Sequence, residues 1–275
     1  MISLRTNAAS LMIQRNLSAA TKGLNTAIEQ MTTGYKLNSA KDNAANYSIM
    51  KNMETKLRAW NVASDNISIG HDMLETAESN ASLIGNHLTR IRDLCEQAAN
   101  GTYGEASIKA IKAEIVARAD EINRIKENAE FNDIKLFGEC DSEGNVIRKN
   151  INLQVGIDGS ESSRITVDTT IDLTSIADID EWDVTDSACL DRIDTMLNTV
   201  SDYQVNIGAS QNRLECALEF ATINSEHLTS SISTIRDADI AKASSDYIKY
   251  QILQQACITL LATANQMPSI ALQLL

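Results

Sequence analysis

Side chains able to do chemistry are few in this sequence, and they are scattered. The 275 residues include three histidines and five cysteines, with no CxxC or HxxxH pairing, so the cysteine and histidine sets that hold zinc have no counterpart. The patterns HExxH, GxSxG and GxxxxGK(S/T) are also absent, which removes zinc-hydrolase, serine-hydrolase and P-loop chemistry. Two polar pairs stand one helical turn apart, His71 with Glu75 and Asp202 with Asn206. No nucleophile or pocket-forming segment accompanies them, so they read as solvated helix faces. Cys95 and Cys257 read as small reduced core side chains, and Cys140 and Cys189 as free thiols of an exposed region. The expectation is a protein with no catalytic residue, no metal ligand set and no cofactor.

The elements that must carry these residues follow from composition. One proline, 11 glycines and 4% aromatics stand beside 43% hydrophobic residues, too little punctuation for a sandwich, a barrel or a doubly wound sheet. The fold class expected is mainly α: an elongated antiparallel bundle of long, coiled-coil-like helices with a small β-hairpin region. A net charge of −13 would repel nucleic acid and anionic membrane surfaces. Residues 139–194 hold 14 acidic and 4 basic side chains, so −10 of that charge lies there. By contrast, the 26 residues from Tyr250 to Leu275 carry no charged side chain. Their longest stretch free of amides, Ala256 to Ala264, is half the roughly 18 residues of a membrane span, so burial against protein is expected instead of membrane insertion. Met1 to Asn16 is interrupted by Arg5, Asn7, Gln14 and Arg15 and has no signal-peptide core, which points to a cytosolic chain or to export by another route.

Periodicity organises the rest. Leu17, Thr21, Leu24, Ile28, Met31 and Tyr35 step by fours and threes along a first helix that ends near Gly34. After a small polar connector, Leu37 to Ala45, a second stripe runs from Ile49 through Trp60, Leu74 and Leu88 to Ala98, with Lys56 out of place. About 50 helical residues would span roughly 75 Å, hence the elongated expectation. Ile108 to Ala129 forms a shorter returning helix. Ile151, Leu153, Val155 and Ile157, then Asp158-Gly159-Ser160, then Ile165 and Val167 predict a β-hairpin. Residues 171–189 read as acidic surface. A long stripe from Ile193 to Ile235 matches the second helix, and a last helix carries Tyr250, Leu253, Cys257, Leu260, Ala264, Met267, Ala271 and Leu274, with a kink expected at Pro268. Both ends of the chain should lie together.

Three stretches carry a family resemblance: MTTGYKLNSAKDNAANYSI (Met31 to Ile49), LTRIRDLCEQAANGTY (Leu88 to Tyr103) and IRDADIAKASSDYIKYQILQQACITLLATANQMPSIALQLL (Ile235 to Leu275). In order and spacing they resemble bacterial flagellin, in a minimal form without the large variable outer domains. The resemblance implies inner-core terminal helices from residues 1–45 and 236–275. It also implies an outer-core bundle from 46–235, with its hairpin at about 137–170 and the acidic surface segment 171–189. It implies a structural subunit of the extracellular flagellar filament, exported by the flagellar type III route. Its partners would be copies of itself in a helical homopolymer, an export chaperone, and cap and junction proteins. Leu17, Leu24, Ile28, Met31, Leu253, Leu260, Met267 and Leu274 would form the assembly seam. Arg90, Leu94 and Glu114 match the positions that contact the Toll-like receptor for flagellin, and because the stripe uses Leu88, Ile91 and Cys95, Arg90 and Leu94 are expected to face outward. A hook-filament junction protein is the alternative within the same machinery. A cytosolic coiled-coil scaffold is the alternative of another class; it would keep the stripes but leave the connector and tail motifs unexplained.

Overall fold

The computed structural model describes residues 7–273 apart from 138, 141–145, 148–149, 174–175 and 177–178; for 139–140, 146–147, 181 and 267–273 it describes the backbone alone. Five helices dominate: α1 (Ala8–Thr33), α2 (Ala44–Ala99), α3 (Glu105–Asn128), α4 (Ser187–Arg236) and α5 (Ile240–Gln273). Between α3 and α4 lie six short strands, β1 (Glu130–Phe131), β2 (Ile134–Lys135), β3 (Glu139–Cys140), β4 (Val146–Ile147), β5 (Asn150–Gln154) and β6 (Arg164–Asp168). They pair as three two-stranded antiparallel ribbons, β1 with β2, β3 with β4 and β5 with β6. The mainly α class expected from composition is thus the class observed. Helix α5 continues through Pro268 to Gln273.

The chain divides into two units, Met1–Leu57 with Glu226–Leu275, and Arg58–Ser225. In the second, every stripe residue of α2 from Ala63 to Ala98 is buried, and so are Ile115, Ile122 and Ile125 of α3 and Ile193, Val200, Ile207 and Leu214 of α4. Two helix-to-helix contacts fix the direction of α4 against α2. Arg92 Nε donates to Asp194 Oδ1 at 2.7 Å, and Gln211 Nε2 donates to Glu78 Oε2 at 3.0 Å. The residue numbers run oppositely, so the helices are antiparallel. Gly70 of α2 meets Leu153 of β5 so closely that a Cβ would lie 2.9 Å from the leucine Cδ1. Helix and ribbon touch there because the position has no side chain.

Local chemistry sets the turns. Gly34 closes α1 at φ 75°, a left-handed conformation that glycine adopts without a Cβ clash. Asn132 and Asp133 link β1 to β2 with φ of 47° and 64°, the paired positive values that a two-residue hairpin turn requires and that Asn and Asp tolerate. In the β5–β6 ribbon Ile151 faces Val167 and Leu153 faces Ile165, so the predicted alternation places its apolar residues in register.

One expectation needs correction. Residues 171–189 are not simply acidic surface: Ile171, Leu173, Ile176, Ile179, Trp182, Val184 and Cys189 are buried, while Asp172, Asp180, Asp183 and Asp186 are exposed. Apolar residues two or three positions apart lay the segment onto the core and leave the intervening carboxylates in water. Lys112 Nζ donates to the Trp182 carbonyl at 3.2 Å, and the Arg192 guanidinium lies 5.1 Å from the Trp182 ring centroid.

Candidate functional site

In the unit holding both ends of the chain, α1 and α5 pack against each other antiparallel. Asn7 accepts from the Ser10 backbone N–H at 3.1 Å, capping α1, and its own amide donates to the Ala264 carbonyl at 2.7 Å. Ser10 Oγ donates to Asn265 Oδ1 at 3.3 Å, and Gln254 Nε2 to Thr21 Oγ1 at 3.3 Å. The contact surface is built from small side chains. Ser10, Ala20 and Ala27 of α1 and Ala243 and Ala264 of α5 are buried, and the Tyr250 ring lies directly over Gly23.

This arrangement divides the residues expected to form the assembly seam. Leu17 and Leu24 are half-buried in it, but Ile28, Met31, Leu253 and Leu260 are exposed, with Leu260 at 56%. The side chain of Met267 and the whole of Leu274 lie outside the described residues. The largest apolar residues do not mark the contact between the helices. The two helices instead meet on Ala20 and Ala27, one position before Thr21 and Ile28, because small side chains let the backbones approach and increase contact between helices. The larger residues are left on the outer surface of the pair. Leu11, Ile248, Ile252 and Ile258 are exposed there too.

The connectors between these helices hold each other. Lys36 donates its backbone N–H to the Arg236 carbonyl at 2.7 Å, and Ala238 donates to the Gly34 carbonyl at 2.8 Å. The Arg236 guanidinium sits 4.1 Å from the Tyr35 ring centroid and reaches Glu54 Oε1 at 3.3 Å. Leu37, Met50 and Ile232 form a small core beneath. Asp42 accepts from the backbone N–H groups of Ser39 and Asn38 and from the Ser39 hydroxyl. The Ser39 N–H first, then these other donors, holds its carboxyl below the usual range. The polar segment expected to be a plain connector is therefore a specific turn.

Of the receptor positions, Arg90 on α2 and Glu114 on α3 are partly exposed and paired, with Arg90 Nε 3.5 Å from Glu114 Oε1. Glu114 also accepts from Arg118 Nη2 at 3.0 Å. Leu94 does not face outward: it is 2% exposed and belongs to the core that includes Ile91 and Cys95. The stripe left it beside the seam, yet α2 is covered on more than one side, so a wider arc than a two-helix stripe is buried.

Cysteine placement also departs from expectation. Cys189 is buried, its Sγ 2.9 Å from that of Cys95, whereas Cys216 is exposed and Cys257 half-buried. The side chain of Cys140 lies outside the described residues. Among the described residues one cluster brings possible metal-ligand atoms within 4.8 Å of each other: His71, Asp72 and Glu75, all exposed on α2. His71 and Glu75 are thus near each other on a solvated face, while Asp202 and Asn206 are exposed on α4. No described helix is long and apolar enough to cross a membrane.

Comparison with known proteins bears on both ends of the chain. The family model for the bacterial flagellin N-terminal helical region matches residues 4–141, and that for the bacterial flagellin C-terminal helical region matches residues 190–275. Flagellin of Bacillus subtilis (strain 168) is 32% identical over 298 aligned residues, covering 98% of each chain. Flagellin of Halalkalibacterium halodurans is 32% identical over 274, again covering 98% of each. The crystal structure of Bacillus cereus flagellin shares 25% identity at a TM-score of 0.48, over 57% of this chain and 88% of that one. Matched across both terminal regions and along almost its whole length, the chain belongs to the bacterial flagellins, structural proteins of the extracellular flagellar filament and not enzymes.

Proposed function

We propose that this filament subunit assembles by burying the outer face of the α1–α5 pair against other copies of itself. The observation that carries the reading is the exposed apolar set Leu11, Ile28, Ile248, Ile252 and Leu260, on a helix pair whose α5 carries no charged side chain after Lys249. Such a surface is unfavourable in water, and its burial by neighbouring copies is worth about 25 cal/mol per Å² of apolar area covered. Identical subunits joined by contacts that do not close on themselves build an open helical polymer, which is the form of a motility filament. Export through the flagellar type III route, with a chaperone before export and cap and junction proteins at the filament ends, belongs to the same reading. Filaments sheared from cells producing the chain should yield its peptides as the major component. Recovery only at the hook end, or only from the cytosol, would overturn the assignment.

A receptor-contact role for Arg90 and Glu114 is a second proposal. It is supported by their partial exposure and their pairing across α2 and α3. Leu94 contributes only indirectly, by holding the backbone that presents Arg90.

A further inference from the structure

We propose that Cys95 and Cys189 are a redox pair that closes into an intramolecular disulfide, tying α2 to α4. Cys95 lies near the end of α2 and Cys189 in the first turn of α4, far apart in sequence, yet their sulfurs are 2.9 Å apart inside the apolar core. A disulfide needs about 2.05 Å, so closure asks for a sulfur displacement of under about 1 Å. The remaining described thiols are poor competitors, since no other sulfur pair is in contact among the described residues.

The two sulfurs are not equivalent. The hydrogen bond with Cys95 holds the Cys189 thiol below its ordinary value, and Arg192 adds to the effect; the same hydrogen bond, with burial, pushes Cys95 up. Cys189, in the first turn of α4 where the positive end of the helix dipole favours a thiolate, is the attacking sulfur, and Cys95, near the C-terminal end of α2, is the resolving one. Opening of the first turn of α4, or folding in the presence of oxidant, exposes Cys189. The oxidant is a low-molecular-weight disulfide. The Cys189 thiolate attacks one of its sulfurs, forming a mixed disulfide and releasing one small thiolate. Cys95, its proton passing to that thiolate, then attacks the Cys189 sulfur, and the second small thiolate leaves and takes up the proton that Cys189 gave up. Two protein thiols are oxidised and one small disulfide is reduced to two thiols.

The test uses the full chain, incubated with excess oxidised glutathione both in the native state and during refolding from urea. The expected product has lost two hydrogens and carries no adduct at the pair. Its non-reduced digest links the Cys95 peptide to the Cys189 peptide, and its melting temperature rises by roughly 10 °C over the reduced form. Cys216→Ser should still form the link. Cys189→Ala should not, and should leave Cys95 unmodified, with far-ultraviolet circular dichroism reporting that it folds. Glutathione held stably on Cys189, a link between other cysteines, or a pair that stays reduced through refolding would each overturn the proposal.

Discussion

Leu94 shows how one side chain can change the meaning of a surface. At 2% exposure it packs in the core with Ile91 and Cys95, so Leu94→Ala should destabilise the folded chain by about 2–4 kcal/mol through lost burial and the cavity left behind. Arg90→Ala should alter stability by no more than roughly 0.5 kcal/mol, because its partner Glu114 keeps Arg118 and the site is wet. Urea denaturation read beside receptor binding separates the two. If Arg90 is a contact, Arg90→Ala lowers binding without moving the denaturation midpoint; equal binding by variant and parent would remove the contact role. Tyr203 offers a pH test. Its hydroxyl donates to the Leu136 carbonyl at 3.1 Å, and burial, followed by the nearby Asp168 charge, pushes its ionisation up. The folded state therefore favours the neutral phenol. That stabilisation is complete below the unfolded value of about 10 and is lost as pH rises above it. Tyr203→Phe should lower stability by about 1 kcal/mol at neutral pH and flatten the decline above about pH 10, as measured by urea midpoints across the alkaline range.

For helices, the consequential feature is phase. The α1–α5 pair meets on Ala20, Gly23 and Ala27 from one side and on Ala243, Tyr250 and Ala264 from the other, and leaves Leu253 and Leu260 outside. Two substitutions of the same kind should consequently act at different stages. Ala27→Asp places a carboxylate inside the pair and should separate the helices in the monomer, reducing helical content. Leu260→Asp places one on the outer face; it should leave monomer helicity unchanged and abolish polymerisation. Circular dichroism and electron microscopy of both variants check this, and filaments formed by Leu260→Asp would show that the outer face is not the assembly surface.

Across the whole chain, stability is unevenly distributed between the two units. Residues 58–225 hold a core of fully buried Leu74, Ile84, Leu88, Ile91, Ile115 and Ile122, whereas the pairing of the terminal helices buries chiefly alanine, serine and glycine. Alanine burial contributes little compared with leucine or isoleucine, so the terminal helices should open far more often than the core. Limited proteolysis of dilute monomer should trim both ends first and stop within the long helices. A fragment of residues 46–235 should fold and remain monomeric at concentrations where the intact chain polymerises, as sedimentation would report. Polymerisation of that fragment would relocate the assembly element.

Helix content, the extents of the long helices and the β5–β6 alternation were legible in the sequence because they depend on local periodicity: the stripe residues from Ala63 to Ala98 recur every three or four positions and are buried, and Ile165 and Val167 alternate with exposed neighbours. Family membership was equally legible, since the stretches Met31 to Ile49 and Ile235 to Leu275 carry it residue by residue. Periodicity does not say how many neighbours a helix has or how closely each approaches. Only tertiary structure decided that Leu94 is buried by further packing on α2, that the acidic segment folds Ile171, Leu173 and Trp182 inward, and that α1 and α5 meet on their smallest residues. The same holds for the contact between Cys95 and Cys189. Two sulfurs on different helices become neighbours through the register of the bundle, and register is fixed by the sum of many packing contacts that no local stretch of sequence contains.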